Sequence, residues 1–193
     1  MQKITKAVMG AAIIAVAAGA AYAAATALPA IAREAGADAT HHFALPGTLT
    51  LDAADSDIAC TSPCRIESDG KIGYFQNDMT VTFSNVYCEK AGSYKVAIPV
   101  DWSMGDAKFS VTVTDNATMT DEAVVEAVMP KNDSPFQAME FDLEGRVSEG
   151  LKTVVFKSLE NPSHAGGFNW KSPEFTWTGE GTELPKTFAL PGT

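Results

Sequence analysis

The sequence predicts an all-β domain, a two-sheet antiparallel β-sandwich of the jelly-roll class, after an N-terminal signal peptide. The first observation is that apolar and polar residues alternate with a period of two in one short segment after another, which marks strands with one face on a core. The second is that turn-forming groups such as SDGK, EKAGS and SMGD separate these segments at short intervals. The third is their number, because roughly eight to ten short strands suit a sandwich of two sheets.

The segment SYKVAIPVDW, residues 93–102, has the clearest alternation of all. Its apolar face consists of Tyr94, Val96, Ile98, Val100 and Trp102. Similar faces are predicted for AKFSVTVTD, MTVTF and AMEFDLE, and LKTVVFKSL and PEFTWTG complete the set. DEAVVEAVMP has some helical character, but its valines and its place among strands favour a strand. Trp102 and Trp177 lie on apolar faces and are predicted to belong to the core.

The N-terminal residues have the pattern of a secretory signal peptide. Lys3 and Lys6 precede a long alanine-rich apolar run, and Ala21-Tyr22-Ala23 is a small-x-small cleavage pattern. An uncleaved membrane anchor is the alternative, since the uncharged stretch reaches spanning length. We therefore expect a secreted or cell-surface protein, with membrane contact only if this segment is uncleaved. The predicted organisation is a signal peptide at 1–23, a flexible tether at 24–42, the sandwich at 43–180 and a C-terminal tail at 181–193.

The charge balance excludes two classes of partner. The formal net charge is −10 for the full chain, and loss of Lys3 and Lys6 with the signal peptide makes it more negative still. Binding to nucleic acid or to anionic lipid requires concentrated Lys and Arg, and the sequence contains no basic run. We therefore predict no nucleic-acid partner, and the acidity is expected to serve solubility.

The three cysteines suggest a disulfide, because export places the chain in an oxidising environment. The segment CTSPC predicts a local bridge between Cys60 and Cys64, and Cys64–Cys88 is the alternative, which closes a longer loop. A zinc site is not predicted, since the chain has no second cysteine pair and no spaced histidine pair. His41 and His42 fall in the predicted tether, and His164 stands alone.

One hexapeptide occurs twice in the chain. FALPGT occupies residues 43–48, where the predicted sandwich begins, and again residues 188–193. Three interpretations compete: a linker motif, the trace of a repeated module, and a strand that can pair in two places. The third would allow self-association through residues 188–193, because a free strand can add to the sheet edge of a neighbouring molecule.

Several segments, taken in order, resemble the carbohydrate-binding modules of family six and family thirty-five. LPGTLTLDAADSD is similar to the opening strand of these modules, and IGYFQNDMTVTFSNVYCEKAGSYKVAIPV is similar to the block that follows it. SEGLKTVVFKSL resembles a late strand, and GGFNWKSPEF resembles the closing block. The resemblance covers residues 45–177 and implies the jelly-roll fold that the alternation predicts independently.

The resemblance also shows where this chain departs from the structural calcium site of these modules. The two glutamates of the opening strand fall on Thr50 and Asp52, and the closing aspartate falls on Lys171. Calcium requires six to eight oxygen ligands, and a protonated lysine cannot supply one. We therefore expect no calcium there, and instead an ion pair of Lys171 with Asp52 or Asp55.

The resemblance further implies a ligand cleft in the loops at one end of the sandwich. Such modules hold a sugar between two aromatic rings and an asparagine, since the C–H faces of sugars pack on rings and their hydroxyl groups need hydrogen bonds. Tyr74 matches the first ring, Asn169 matches the asparagine, and Phe136 is the aromatic candidate for the second ring. Phe75 and Trp170 flank the matched positions and complete the predicted ligand-binding set.

No catalytic motif is evident in the sequence. Glu140, Asp142 and Glu144 alternate on one strand, but a solvated face is the better interpretation, since the acids of a glycosidase need a cleft and a set separation. The sequence therefore predicts a secreted non-catalytic module, without metal or cofactor, that binds a polysaccharide or surface glycan. The alternative is an exported structural, filament or adhesion subunit that assembles through its terminal strand.

Overall fold

The computed structural model of the chain describes residues 41–103, 105–159, 167–182 and 184. The compact unit to which they belong begins at His41, so His41 and His42 are part of the fold and not of a tether. The predicted signal peptide, the rest of the predicted tether, His164 and the second FALPGT lie outside the described residues. Within the described ranges, no helix is long and apolar enough to span a membrane.

The described residues are built from short strands. In chain order they are β1 (Ala44–Leu45), β2 (Gly47–Thr48), β3 (Ile58–Cys60), β4 (Lys71–Phe75), β5 (Thr80–Cys88), β6 (Ser93–Ser103), β7 (Lys108–Asp115), β8 (Thr120–Val128), β9 (Gln137–Asp142), β10 (Glu144–Gly145), β11 (Gly150–Ser158), β12 (Phe168–Lys171) and β13 (Glu174–Gly179). DEAVVEAVMP thus forms a strand, β8, as predicted.

These strands form two sheets, which confirms the predicted all-β sandwich. Sheet I has the order β1-β5-β11-β7-β8-β10, and β3 also pairs with β5. Sheet II has the order β2-β13-β6-β12-β4, and β9 also pairs with β6. The described pairs are antiparallel except for the short β1–β5 pair, which is parallel. The chain thus enters sheet I through β1 and turns at once into sheet II through β2.

The core lies between the sheets and is rich in aromatic rings. The alternation predicted most of its members, and each fully buried large apolar side chain contributes about 1.5–3 kcal/mol. The Trp170 ring stacks on Phe156 at a centroid distance of 4.9 Å, and Phe75 packs edge-on against Trp170 at 5.4 Å. The fully buried apolar residues with the largest side chains are Trp170, Tyr94, Phe75, Phe83, Phe109, Phe156, Phe168, Phe175, Leu45, Leu49 and Ile72.

Sheet I also buries a charged group, the ammonium of Lys152. This side chain is 0% exposed, and its Nζ donates to Asp115 Oδ2 at 2.5 Å and to Ser148 Oγ at 2.7 Å. Glu122 Oε2 lies 3.0 Å from the same nitrogen. The hydrogen bond from Lys152, together with that from the Thr118 backbone N–H, lowers the pKa of Asp115 from 3.8 to about 2. A buried charge is tolerated here because its donors find acceptors.

The structure contains no disulfide among the three cysteines, which are all free. The sulfur atoms of Cys60 and Cys64 lie 2.6 Å apart, so the predicted Cys60–Cys64 bridge is close to formed and stays a prediction. This contact lowers the pKa of Cys60 and raises the pKa of Cys64. Cys88 is buried and contacts Lys90 and Tyr94 instead of Cys64.

Candidate ligand-binding face

Asn169 in β12 is the centre of the candidate site, because the strands on both sides of it contain a β-bulge at this level. On one side, Asn169 pairs with Trp102 and Trp170 pairs with Val100, so Asp101 is the extra residue of β6. On the other side, β12 pairs Phe168 with Phe75 and Trp170 with Ile72, so two residues of β4 face Asn169. A bulge turns the following side chains to the opposite face of the sheet.

The bulge in β4 places Tyr74 on the outside of the sandwich. Ile72 and Phe75 are both fully buried, although strict alternation would point them to opposite faces. The inserted pair, Gly73 and Tyr74, absorbs the difference, and Tyr74 adopts a left-handed backbone with φ of 50°. Its side chain is 64% exposed. Such a backbone costs a bulky residue about 1–3 kcal/mol and is found most often at functional sites.

The bulge in β6 corrects the prediction that Trp102 belongs to the core. Tyr94, Val96, Ile98 and Val100 are buried as the alternation predicts. After Asp101 the alternation reverses, so Trp102 lies opposite Asn169 and is half-buried. Its ring centroid is 6.2 Å from that of Tyr74, with an interplanar angle of 57°. Trp102, and not Phe136, is therefore the second ring beside Tyr74.

Asn169 holds the strained backbone of β4 in place. Its Oδ1 accepts a hydrogen bond from the Tyr74 backbone N–H at 2.7 Å. Its side-chain NH₂ group donates to no acceptor among the described residues. Gly73 lies beside this amide, and a Cβ there would approach Glu67 Oε1 to 3.0 Å. Asn169 therefore both positions Tyr74 and presents donors next to the two rings.

Phe136 lies on the same outer face, beyond Asn169. It is 36% exposed, and Lys171 Nζ is 4.2 Å from its ring centroid. Asn132 fixes the loop before β9, since its Nδ2 donates to Val100 O at 2.6 Å and to Ser134 O at 2.7 Å. No ring contact joins Phe136 to Tyr74 among the described residues. The face thus extends along β12 from the two rings, through Asn169, to Lys171 and Phe136.

Two of the predicted ligand-binding residues do not reach this face. Phe75 and Trp170 are fully buried and pack on each other in the core. The reason is the same bulge, which keeps Phe75 inside while it turns Tyr74 outside. The indole Nε1 of Trp170 has no hydrogen-bond partner in the described residues.

Lys171 corrects a further prediction, since it pairs with neither Asp52 nor Asp55. Its Nζ lies 3.8 Å from Asp69 Oδ2. The carboxylate of Asp55 is instead 2.7 Å from His42 Nδ1, and that of Asp52 accepts from the Ala54 backbone N–H. Lys171 lines a surface cavity of about 390 Å³ together with Asp52 and Asp69. Among the described residues, no group of three or more His, Cys, Asp and Glu could hold a metal ion.

The three alternating carboxylates between residues 140 and 144 are solvated. Glu140, Asp142 and Glu144 are all exposed, and Glu140 forms an ion pair with Lys95 at 2.9 Å. The three do not share one strand, since β9 ends at Asp142 and Glu144 belongs to β10 in the other sheet. They do not form the facing pair of acids that glycoside hydrolysis uses.

The arrangement suits the binding of a ligand with an apolar face and polar edges. Two tilted rings offer an apolar surface of the size of a sugar ring, and an amide beside them can hydrogen-bond hydroxyl groups. Glu67 and Lys171 border the face on the cavity side. Alternation in the sequence could not place Trp102 on the outer face, because the bulge at Asp101 reverses the alternation and has no signal of its own in the sequence.

Comparison with known proteins supports the fold. No family model matches the chain, and no curated protein matches it either. Among solved structures, a family 6 carbohydrate-binding module from Clostridium cellulolyticum in complex with xylose aligns with a TM-score of 0.50 and 12% identity, over 69% of this chain and 98% of that one. This likeness shows a shared fold, so the resemblance predicted from the sequence is confirmed at that level.

Two further solved structures are similar to the chain over comparable lengths. A family 35 carbohydrate-binding module from Clostridium thermocellum aligns with a TM-score of 0.49 and 15% identity, over 64% of this chain and 95% of that one. The C-terminal family 6 module of LamC from Zobellia galactanivorans aligns with a TM-score of 0.45 and 20% identity, over 67% of this chain and 98% of that one.

Proposed function

We propose that this protein is an exported, non-catalytic carbohydrate-binding protein that binds a polysaccharide or surface glycan on the face formed by Tyr74, Trp102 and Asn169. The observation that supports it is the pair of bulges around Asn169. The two strands that flank β12 depart from regular pairing at the same level, and the result is one exposed ring, Tyr74, and one half-buried ring, Trp102, beside one amide. A core or an ordinary sheet surface does not require this arrangement, whereas a sugar-binding platform does.

In this proposal each group has a defined task. The C–H face of one sugar ring stacks on the Tyr74 and Trp102 rings. The Asn169 NH₂ group donates to a hydroxyl of that sugar, while its Oδ1 remains bonded to the Tyr74 backbone N–H. Phe136 and Lys171 contact a neighbouring sugar of the polysaccharide, since Lys171 lies further along β12 and packs against the Phe136 ring. A surface that contacts more than one sugar favours a polymer over a monosaccharide.

Titration with carbohydrates tests the proposal. The similar module from Clostridium cellulolyticum was solved with xylose, so xylose and xylo-oligosaccharides are the first probes, followed by a panel of soluble glucans and uronate-containing polysaccharides. Binding is measured by calorimetry for every variant, and by tryptophan fluorescence for those that retain Trp102. We expect Tyr74→Ala and Trp102→Ala each to weaken binding about tenfold, which corresponds to about 1.4 kcal/mol.

Met119→Ala is the matched control. Met119 is 77% exposed and also has a positive φ, of 56°, but it lies in the β7–β8 turn of sheet I. It should bind as the unmodified protein does. Unchanged binding in both ring variants, or no binding to any carbohydrate of the panel, would contradict the proposal.

The alternative function is that of an exported filament or adhesion subunit that assembles through its terminal strand. One observation favours it, namely that the first FALPGT is an integral strand of both sheets. Assembly and carbohydrate binding are compatible, because residues 43–48 and the ligand-binding face are different surfaces.

A further inference from the structure

The first FALPGT fills a site that is defined residue by residue. Phe43 and Leu45 are buried in the core, and the Phe43 ring packs edge-on against Phe83 at 5.3 Å. The backbone is held by β5, since the Tyr87 N–H donates to Phe43 O at 3.0 Å and the Glu89 N–H donates to Leu45 O at 2.8 Å. The first half of the hexapeptide is therefore a buried edge strand of sheet I.

The second half crosses to sheet II and depends on glycine. Gly47 and Thr48 pair with β13, opposite Phe175 and Glu174. Gly47 has a φ of 156°, and a Cβ there would lie 2.7 Å from Ala44 O. Any other residue would force the corner between β1 and β2 apart. The hexapeptide at 188–193 has the same residue at every position, so it meets each requirement of this site.

The last described residue lies at the edge of sheet I that is opposite the β1 site. Leu184 lies against Gly145 of β10, where a Cβ would be 2.9 Å from Leu184 Cγ, and β10 and β1 are the two ends of the strand order of sheet I. Phe188 follows Leu184 by four residues, a span of at most ~14 Å. This short connection favours the β1 site of a second copy over the site of the same molecule.

We propose that residues 188–193 of one molecule replace residues 43–48 of a second copy of this chain. The donated strand takes the same direction and register, with Phe188 and Leu190 in the places of Phe43 and Leu45. Because the two segments are identical, the exchange leaves the core contacts unchanged. The donor and acceptor surfaces differ, so the contact is head-to-tail and produces chains or rings.

The residues before each copy of FALPGT affect the equilibrium between the monomer, in which residues 43–48 fill their own site, and the assembly. His42 Nδ1 lies 2.7 Å from Asp55 Oδ2, and the His41 ring stacks on Tyr87 at 5.9 Å. The second copy is preceded by Pro185-Lys186-Thr187 and has neither histidine. The chain's own strand thus retains an anchor that the donated strand lacks, so exchange requires high protein concentration or a transient release of residues 43–48.

The experiment uses the full chain and does not depend on carbohydrate binding. The protein is incubated at increasing concentration, with and without a brief exposure to sub-denaturing urea, and its mass is measured by size-exclusion chromatography with light scattering. We expect concentration-dependent oligomers. Phe188→Ser with Leu190→Ser should remain monomeric with an unchanged urea midpoint, because Phe43 and Leu45 fill this core site in the monomer.

Two cysteine variants identify the site of the donated strand. In Ala189→Cys with Tyr87→Cys, oxidation should join residue 189 of one molecule to residue 87 of another, as mapped by mass spectrometry, because Ala44 pairs with Tyr87. In Ala44→Cys with Tyr87→Cys, oxidation should lock the chain's own strand and prevent assembly, and reduction should restore it. A monomer under every condition, or full assembly of the Phe188→Ser, Leu190→Ser variant, overturns the proposal.

Discussion

Lys152→Met should be one of the most destabilising single substitutions in the protein. Methionine is similar in length and unbranched, so the change removes the ammonium while it retains most of the packing. The ammonium is fully buried, and three oxygen atoms surround it, from Asp115, Ser148 and Glu122. Its removal leaves two carboxylates close together in a buried site with no positive charge.

The expected magnitude follows from these contacts. Removal of one partner of a buried ion pair typically costs about 3–5 kcal/mol, since the other charge is left without compensation. Part of this cost is relieved here, because Asp115 keeps its bonds from the Ala117 and Thr118 backbone N–H groups, and Glu122 keeps those from Ser148. We therefore expect a loss of about 3 kcal/mol in the free energy of unfolding at pH 7, near the lower end of that range.

Urea denaturation followed by tryptophan fluorescence measures this loss. The midpoint should fall while the m-value stays constant, because the surface exposed on unfolding is unchanged. The matched control is Lys152→Met combined with Asp115→Asn and Glu122→Gln, which removes the leftover charges. This triple variant should recover most of the stability, since a neutral replacement of a buried ion pair is often close to neutral in free energy.

Two results would refute the reasoning. A loss below about 1 kcal/mol for Lys152→Met would mean that the ammonium contributes no more than a surface pair does. A triple variant as unstable as the single one would mean that packing around the lysine stem, and not charge, carries the effect.

Three further predictions concern other contacts. The pKa of Asp115 is lowered from 3.8 to about 2, so its contribution to stability is complete above pH 4 and is lost as the pH falls from about 4 through about 2. Urea midpoints measured between pH 5 and pH 2 should therefore decrease as the pH is lowered, and they should decrease less for Asp115→Asn. Gly92→Ala should lose at least 1 kcal/mol more in unfolding free energy than Gly150→Ala. Both glycines have positive φ, but only at Gly92 would a Cβ collide with Gly179 O and Trp177 Nε1, at 2.2 Å. Equal urea midpoints of the two variants would contradict this prediction. The hydrogen bond to Asp55 raises the pKa of His42 above 6.5, so the His42–Asp55 ion pair is present below pH 6.5 and weakens as the pH rises through the raised pKa. Strand exchange, followed by light scattering, should be faster at pH 8.5 than at pH 5.5. In His42→Ala its rate should be independent of pH.

Much of the fold is predictable from local pattern. The period-two alternation of AKFSVTVTD and MTVTF predicts that Phe109, Val111 and Phe83 are buried, and all three are. The valines of DEAVVEAVMP predict a strand, which the structure contains as β8. These predictions succeed because a strand with one face on the core buries every second residue, whichever strands it pairs with. One apolar face in the sequence is therefore enough to identify the strand.

The candidate site was predicted only in part, for a definite physical reason. Tyr74 and Asn169 are matched by position, and both lie at the site. Phe75 and Trp102 occupy the opposite face from the predicted one, because a bulge reverses the alternation and leaves no mark in the composition of the strand. Trp170 is buried because it alternates regularly with Asn169 in β12. Lys171 similarly pairs with Asp69 and not with Asp52 or Asp55, since its partner is chosen by a loop that approaches from another strand.

The sequence by itself determined which segments become strands and which of their faces are apolar, because both depend on residues two positions apart. It also contained the repeated hexapeptide, whose identity is a fact of sequence alone. Only the tertiary structure decided that the first FALPGT forms an edge strand of each sheet, that Leu184 lies at the edge opposite β1, and that Tyr74 and Trp102 meet beside Asn169. These features depend on which strands become neighbours and in what register, and such pairing is set by contacts between residues far apart in the chain.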